Sequence, residues 1–372
     1  MSKKPSADRQ FDAAVASALR KLEVNERARH LRREANADEA FTKPDSHGRL
    51  DDLLRKKRQK LAYTIDRLHP AGSNSLIAAQ YKVGKTTLMV NLLKAYADAE
   101  PFLGDFKVEP GGGRIALFNY ELTEDMLLDD YLIPLGIENP DRVAVVNLRG
   151  RNFDLRSPAA FKWAAKWLRK NGCDALILDP FGAAARLNNE NDNSEARNWL
   201  LGVLDPLKEE AGVRDLWMPA HTGRGEAEEG NEHVRGASAV DDWADVRWNY
   251  AKAQIPGKHG PVWRRFLSAN GRGVDVAERE LAFDPEDHWL YVTEQRSRAK
   301  ARSEVGARTV QAIVEATPDL NATALWDALP MGNRAKGSAV KEAVRLRLIH
   351  VIDGPNRSKL HRPGPSPGAS DA

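Results

Sequence analysis

The residues best able to do chemistry in this chain lie in Ser75-Leu-Ile-Ala-Ala-Gln-Tyr-Lys-Val-Gly-Lys-Thr-Thr87. An apolar run enters a turn holding Gly84, Lys85 and Thr86, and a helix-compatible segment, Leu88 to Ala97, follows. That order of strand, loop and helix is the form of a phosphate-binding loop. Small residues let backbone N–H groups close around phosphate oxygens, and the helix N-terminus adds donors and partial positive charge. Lys85 is placed to reach the β- and γ-phosphates of ATP, and Thr86 to offer its hydroxyl to Mg²⁺, with Gly84 and Thr87 completing the cradle. The first glycine of the usual Gly-x-x-x-x-Gly-Lys-Ser/Thr spacing is replaced by Ala79, which disfavours a left-handed turn at that point.

Two carboxylates extend this chemistry. Asp174-Ala-Leu-Ile-Leu-Asp179 reads as a buried strand ending in an acid, the form in which Asp179 holds Mg²⁺ through water at the carboxyl edge of a sheet. In many phosphate-loop enzymes a glutamate follows that aspartate and orients the attacking water; here Pro180 follows. Glu121, at the end of the strand Arg114-Ile-Ala-Leu-Phe-Asn-Tyr120, is the available substitute. It lies beside the phosphate loop if the two strands are neighbours, and there it can position and deprotonate water.

The elements that must position these groups follow from the pattern between Tyr63 and Val292, where strands and helices alternate as in a mainly parallel sheet covered on both faces. Val143-Ala-Val-Val-Asn147 and Asp215-Leu-Trp-Met-Pro-Ala220 are further strands, the latter ending at His221. Thr123 is expected to cap a helix through Leu132. Ala159–Lys170 has the spacing of an amphipathic helix, with Phe161, Trp163, Ala164 and Leu168 expected to pack. A helix over Glu195–Glu210 should break near Asp205-Pro206. Val246-Arg-Trp-Asn-Tyr250 opens an antiparallel meander running to Glu294.

Asn119-Tyr-Glu-Leu122, Leu178-Asp-Pro-Phe181, Pro219-Ala-His-Thr-Gly-Arg224, Arg235-Gly-Ala-Ser238 and Asp245-Val-Arg-Trp248 stand in the order found in RecA-like hexameric ATPases. Over Ser75–Tyr250 the chain resembles RepA-type replicative helicases of plasmids and phages, and more distantly DnaB-type helicases. The resemblance implies a RecA-like core, a hexameric ring and single-stranded DNA in a central channel. Glu121 matches the catalytic glutamate. His221 matches the sensor that feels the γ-phosphate, and Arg247 the arginine finger offered to the neighbouring subunit. Arg235 is a second-choice finger or a DNA contact. The loops Pro180–Ser194 and Thr222–Gly236 fall where the family places its channel loops, making Arg186 and Arg224 phosphate contacts. Glu226, Glu228, Glu229 and Glu232 depart from that pattern, because acid facing a DNA backbone is unfavourable.

The net charge of +3 is unevenly laid out. Residues 1–60 and 296–372 each carry about +6, leaving about −9 between them, which suggests nucleic-acid contact at the ends. Residues 1–62 read as a basic helical or partly disordered arm that contacts either DNA or another subunit, and 63–294 as the ATPase domain. A basic linker is expected over 295–305, followed by a unit over 306–362 and a Pro/Gly/Ser tail over 363–372. Helices over Arg308–Glu315, Ala322–Leu329 and Gly337–Leu346, then two short strands over Leu348–His361, are similar to a winged helix-turn-helix. Its third helix would present Lys336, Lys341 and Arg345 to a groove, with Arg357 and Lys359 on the wing, although such units also serve as protein adaptors. A single cysteine, Cys173, excludes an intrachain disulfide and a multi-cysteine zinc site. The absence of a membrane-length apolar run or a signal-peptide pattern predicts a cytoplasmic protein.

The chain is therefore expected to be α/β, with a RecA-like core and a small C-terminal winged helix. The function expected is that of an ATP-hydrolysing, ring-forming DNA motor, a replicative helicase of a phage, plasmid or integrated element. The alternatives are an ATP-switched DNA-binding regulator or loader that unwinds nothing, and a RecA-like recombinase.

Overall fold

The computed structural model describes residues 20–21, 24–25, 27–28, 48–55, 61–80, 82–189, 192–222, 238–255, 262–293 and 297–364. Contacts divide the chain into Met1–Lys60 and Leu61–Ala372. The longest described stretch of the first unit holds a short helix, Leu50–Arg55, with none of its residues buried.

In the second unit a nine-stranded sheet dominates. In chain order its strands are β3 (Asn74–Ala79), β4 (Arg114–Asn119), β5 (Val143–Asn147), β6 (Cys173–Asp179), β7 (Asp215–His221), β8 (Val246–Ile255), β9 (Val262–Gly271), β10 (Val274–Phe283) and β11 (Leu290–Val292). The preceding β1 (Tyr63–Ile65) and β2 (His69–Pro70) form a separate ribbon. The spatial order is β11-β10-β9-β8-β3-β7-β6-β4-β5, parallel from β8 through β3 to β5 and antiparallel from β8 to β11. Strands buried on both faces require near-continuous apolar sequence, and β3, β6 and β7 have it.

Alternate residues serve opposite cores. Ile77, Ala79, Ile177 and Trp217 face the side covered by α1 (Lys85–Asp98); Leu76, Ala78, Leu178 and Met218 face the side covered by α2 (Pro158–Lys170) and by helical turns that include α4 (Asn193–Trp199), α5 (Asp205–Ala211) and α6 (Ser238–Trp243). Between α4 and α5 a π turn, Leu200–Leu204, occupies the place of the predicted break at Asp205-Pro206. Thr123 caps its helix by accepting from the Met126 N–H at 3.3 Å, but that helix gives way to a π turn over Leu128–Leu132. On α2, Ala164 and Leu168 are buried as expected, whereas Trp163 is 45% exposed. Pro180 is followed by a helical turn, α3 (Phe181–Ala185), where a loop was expected.

From Arg298 onward the span expected as a linker is helical. Ser297 caps α7 (Arg298–Ala316) by accepting from the Lys300 N–H at 3.3 Å. The buried Arg298 guanidinium pairs with buried Glu278 of β10 at 2.7 Å. Ala301 and Val305 of α7 pack on Ala253, Ile255 and Phe266 of β8 and β9. Further along, Ala307, Val310 and Val314 enter a second core with α8 (Ala322–Ala328) and α9 (Asn333–Arg345). Gly306 lets α7 and α9 approach closely, since a Cβ there would stand 2.8 Å from the Cβ of Ala339. A three-stranded sheet completes this C-terminal unit: β12 (Leu320–Asn321), absent from the sequence reading, then β14 (Lys359–Pro363) and β13 (Ile349–Asp353) in that order.

Candidate functional site

Parallel register gathers the chemistry at one edge of the sheet. Ala79, the last residue of β3, pairs with His221, the last of β7, and Asn119 of β4 pairs with Asp179 of β6. Glu121 stands two residues beyond Asn119, and the Tyr120 N–H donates to the Asp179 carbonyl at 3.0 Å. The condition set for Glu121, that β4 neighbours β3, is not met, because β7 and β6 lie between them. Glu121 reaches the loop through His221 instead. His221 Nδ1 is 3.0 Å from Lys85 Nζ, and its Nε2 is 4.0 Å from Glu121 Oε1.

The loop resolves the question raised by Ala79. That residue is extended and fully buried at the end of β3, where alanine costs nothing. The left-handed positions are Lys82, at φ 58°, and Gly84, at φ 99°, which begins α1. Glycine supplies the second without strain; lysine holds the first against its own preference. Thr87 Oγ1, the Tyr250 hydroxyl and Arg265 Nε all lie within 3.7 Å of the position a Cβ on Gly84 would occupy. Tyr250 and Arg265 had no motif to announce them. They arrive through the β8–β9 register, which a single sequence does not fix.

Charge in this cluster is strained. Burial, reinforced by the negative charge of Glu121, pushes the Asp179 carboxyl up to about 7 against the opposing pull of Lys85. Burial lowers Lys85, and the neighbouring His221 lowers Glu121. Asp179 Oδ1 is buried with no hydrogen-bond partner among the described residues, and its Oδ2 is 3.5 Å from Thr86 Oγ1. A carboxylate held this way, beside a hydroxyl at the mouth of a phosphate loop, fits a divalent cation that keeps most of its water and phosphate ligands. Among the described residues no group of three His, Cys, Asp or Glu forms a protein-only metal cage. Asn119 is a positioning residue the sequence reading quoted without a role. Its Oδ1 accepts from the Leu122 N–H at 2.9 Å and the Glu121 N–H at 3.3 Å, and its Nδ2 donates to Asn147 Oδ1 at 3.0 Å, so the turn that aims Glu121 is fixed from beneath.

Arg247, on β8 opposite Leu76, is mostly buried with its guanidinium 3.7 Å from Asp241. Arg186 ends α3 in a left-handed conformation and donates to the Arg151 carbonyl at 2.7 Å and Asn152 Oδ1 at 3.1 Å, tying two loops together. Arg224, Arg235 and the four glutamates of the second loop lie outside the described residues. In the C-terminal unit, Lys336 donates to the Trp326 carbonyl at 2.6 Å, Arg345 pairs with Glu342 at 2.5 Å, and Lys359 pairs with Asp353 at 2.5 Å. Lys341 and Arg357 are exposed. Among the described residues no helix is long and apolar enough to cross a membrane.

A family model for the AAA domain matches residues 42–227, half of the 372-residue chain, and the chain belongs to that family. No curated protein matches the chain.

Proposed function

Taking an AAA-domain ATPase with a RecA-like, mainly parallel core as the premise, we propose that this chain is a ring-forming DNA motor similar to RepA- and DnaB-type replicative helicases. The observation that supports it most is the Lys85–His221–Glu121 line, with Asp179 and Thr86 at its base. On this reading Glu121, two residues past β4, is the catalytic carboxylate, and His221 is a sensor between it and the phosphate-loop lysine.

Mg-ATP is the substrate. Lys85 Nζ binds the β- and γ-phosphate oxygens, and the backbone N–H groups from Gly84 onward at the start of α1 close around them. Asp179, through water, and Thr86 Oγ1 would hold Mg²⁺, which would supply neutralisation of phosphate charge. Glu121, kept ionised by His221, accepts the proton of the attacking water at its carboxylate. His221 contacts both Lys85 and Glu121, so loss of the γ-phosphate alters its partners and moves the loop that begins at Thr222. Arg247 leaves Asp241 to complete the site of a neighbouring subunit, and Arg186, Arg224 and Arg235 serve DNA or the ring contact. The C-terminal unit is proposed as a winged helix in which the exposed Lys341, Arg345, Arg357 and Lys359, with half-buried Lys336, meet duplex DNA.

The test is ATP hydrolysis with and without single-stranded DNA, together with strand separation. Stimulated hydrolysis and unwinding are expected; hydrolysis indifferent to any nucleic acid would remove the motor reading. A second reading, an ATP-switched regulator or loader, is favoured by the attachment of α7 to β8–β10, which joins the C-terminal unit directly to the ATPase sheet. Assembly with ATP on a duplex site, without unwinding, selects it.

A further inference from the structure

α2 has an outer face that the ATPase chemistry does not use. Its thirteen residues carry Lys162, Lys166, Arg169 and Lys170 and no carboxylate. Arg169 is 3.5 Å from Glu210, but among the described residues none of the three lysines has a carboxylate within ion-pair distance, and all three are exposed. They repeat every four residues, which stacks them in one stripe at a rise of about 6 Å. The next stripe around the helix is aromatic. Trp163, 45% exposed, lies nearly parallel to Trp167, with centroids 6.1 Å apart and planes at 18°. Phe153 meets the Trp163 ring edge-on at 5.5 Å, and Trp167 leans on buried Phe118 at 6.0 Å. The exposed indole is thus braced from two sides, and little rotamer freedom remains to be lost when something stacks on it.

We infer that this face of α2 is a surface for single-stranded nucleic acid, with bases stacking on Trp163 and phosphates running along Lys162, Lys166 and Lys170. A rigid aromatic beside a cationic track is the chemistry that holds single strands without regard to sequence. An acidic peptide would satisfy the lysines and leave the ring without a stacking partner. A membrane surface would need apolar area, and the apolar face of α2, Ala164, Ala165 and Leu168, is already buried in the core. The surface would lend the proposed motor a second grip on its strand, though its geometry does not depend on that reading.

Binding of a fluorescein-labelled oligothymidine to the full chain, read by anisotropy, is the test. Trp163→Ala should weaken binding about 5- to 150-fold, the value of one stacked base, and Trp163→Phe should restore most of it. Lys162→Gln with Lys166→Gln should lower the slope of log affinity against log salt by about 1.4. Hydrolysis measured without DNA should be unchanged in all three. If the wild type binds the oligonucleotide and Trp163→Ala binds it equally well, the surface is overturned and the motor stands. If the variants bind normally but no longer self-associate by light scattering, the face is a contact between copies and the inference also fails. A wild type with no affinity for single strands overturns both.

Discussion

β7 carries a polar cluster at each end, built from similar residues and left in opposite conditions. At its start, fully buried Asp215 accepts from Thr64 Oγ1 at 2.9 Å, the Arg214 guanidinium at 2.8 Å and the Gly72 N–H at 2.7 Å, and lies 3.2 Å from His69 Nε2. His69 Nδ1 is 2.7 Å from Ser75 Oγ, and Trp217 covers the imidazole at 4.2 Å. These residues have the types of a nucleophilic triad, yet Ser75, His69 and Asp215 are all inaccessible, so the arrangement holds the first turn of the domain to the sheet and does no chemistry. At the other end of the same strand, His221 stands among Lys85, Glu121 and Asp179 with an unpartnered carboxylate oxygen and a carboxyl lifted to about 7. The satisfied cluster stabilises the fold; the unsatisfied one costs stability and is completed by what binds there.

Substitutions should separate the two clusters. The largest effect belongs to Glu121→Gln, which should lower kcat by about 10²- to 10⁴-fold while nucleotide affinity and thermal stability stay near wild type; hydrolysis that survives this change would displace Glu121 as the base. Asp215→Ala is the converse. It strands Arg214, His69 and Thr64 and should cost about 3–5 kcal/mol in denaturant unfolding, with kcat of the folded fraction unchanged. Asp179→Asn should stabilise the nucleotide-free protein at pH 8 by about 2–4 kcal/mol, from the 1.36 kcal/mol carried by each unit of displacement, while abolishing Mg²⁺-dependent hydrolysis. The sign follows from its raised folded value: the native state binds the extra proton, so stability contributed by this group falls as pH climbs from about 4 to about 7.

At the opposite end the pH dependence reverses. Burial lowers His69, so the unfolded chain takes up the proton first and stability is lost as pH drops below about 6.5. His69→Gln should flatten the dependence of Tm on pH between pH 7 and 5. Smallest of all, Lys82→Gly should relieve a left-handed residue and raise stability by about 0.5–1 kcal/mol, read as a modest rise in Tm, with hydrolysis retained.

What could be read in advance was whatever lies close along the chain. β3, β6 and β7 are apolar runs ending in Ala79, Asp179 and His221, and both the strand and its terminal residue are visible within seven positions. Glu121 was legible as a candidate for the same reason, but whether its strand neighbours β3 was not, since strand order is a property of the whole sheet. The His69–Asp215 cluster joins residues 146 apart with no motif between them, and nothing local marks it. The linker was misread because its basic residues look solvated in sequence. Arg298 is instead buried by a glutamate twenty residues earlier. Trp163 was assigned to the core by helical spacing, which identifies a stripe without saying how wide the covered part is.

α7 has a bearing on how such a protein can be taken apart or inherited. One helix contributes Arg298, Ala301 and Val305 to the ATPase body and Ala307, Val310 and Val314 to the C-terminal core, with no irregular residue between the two sets. A protease meets no extended backbone there, and a truncation after β11 strips Glu278 of its cation and uncovers Phe266. Recombination at this point would have to carry β8–β10 along with the terminal unit, so the piece that can be transplanted intact begins inside the ATPase sheet and not at its edge.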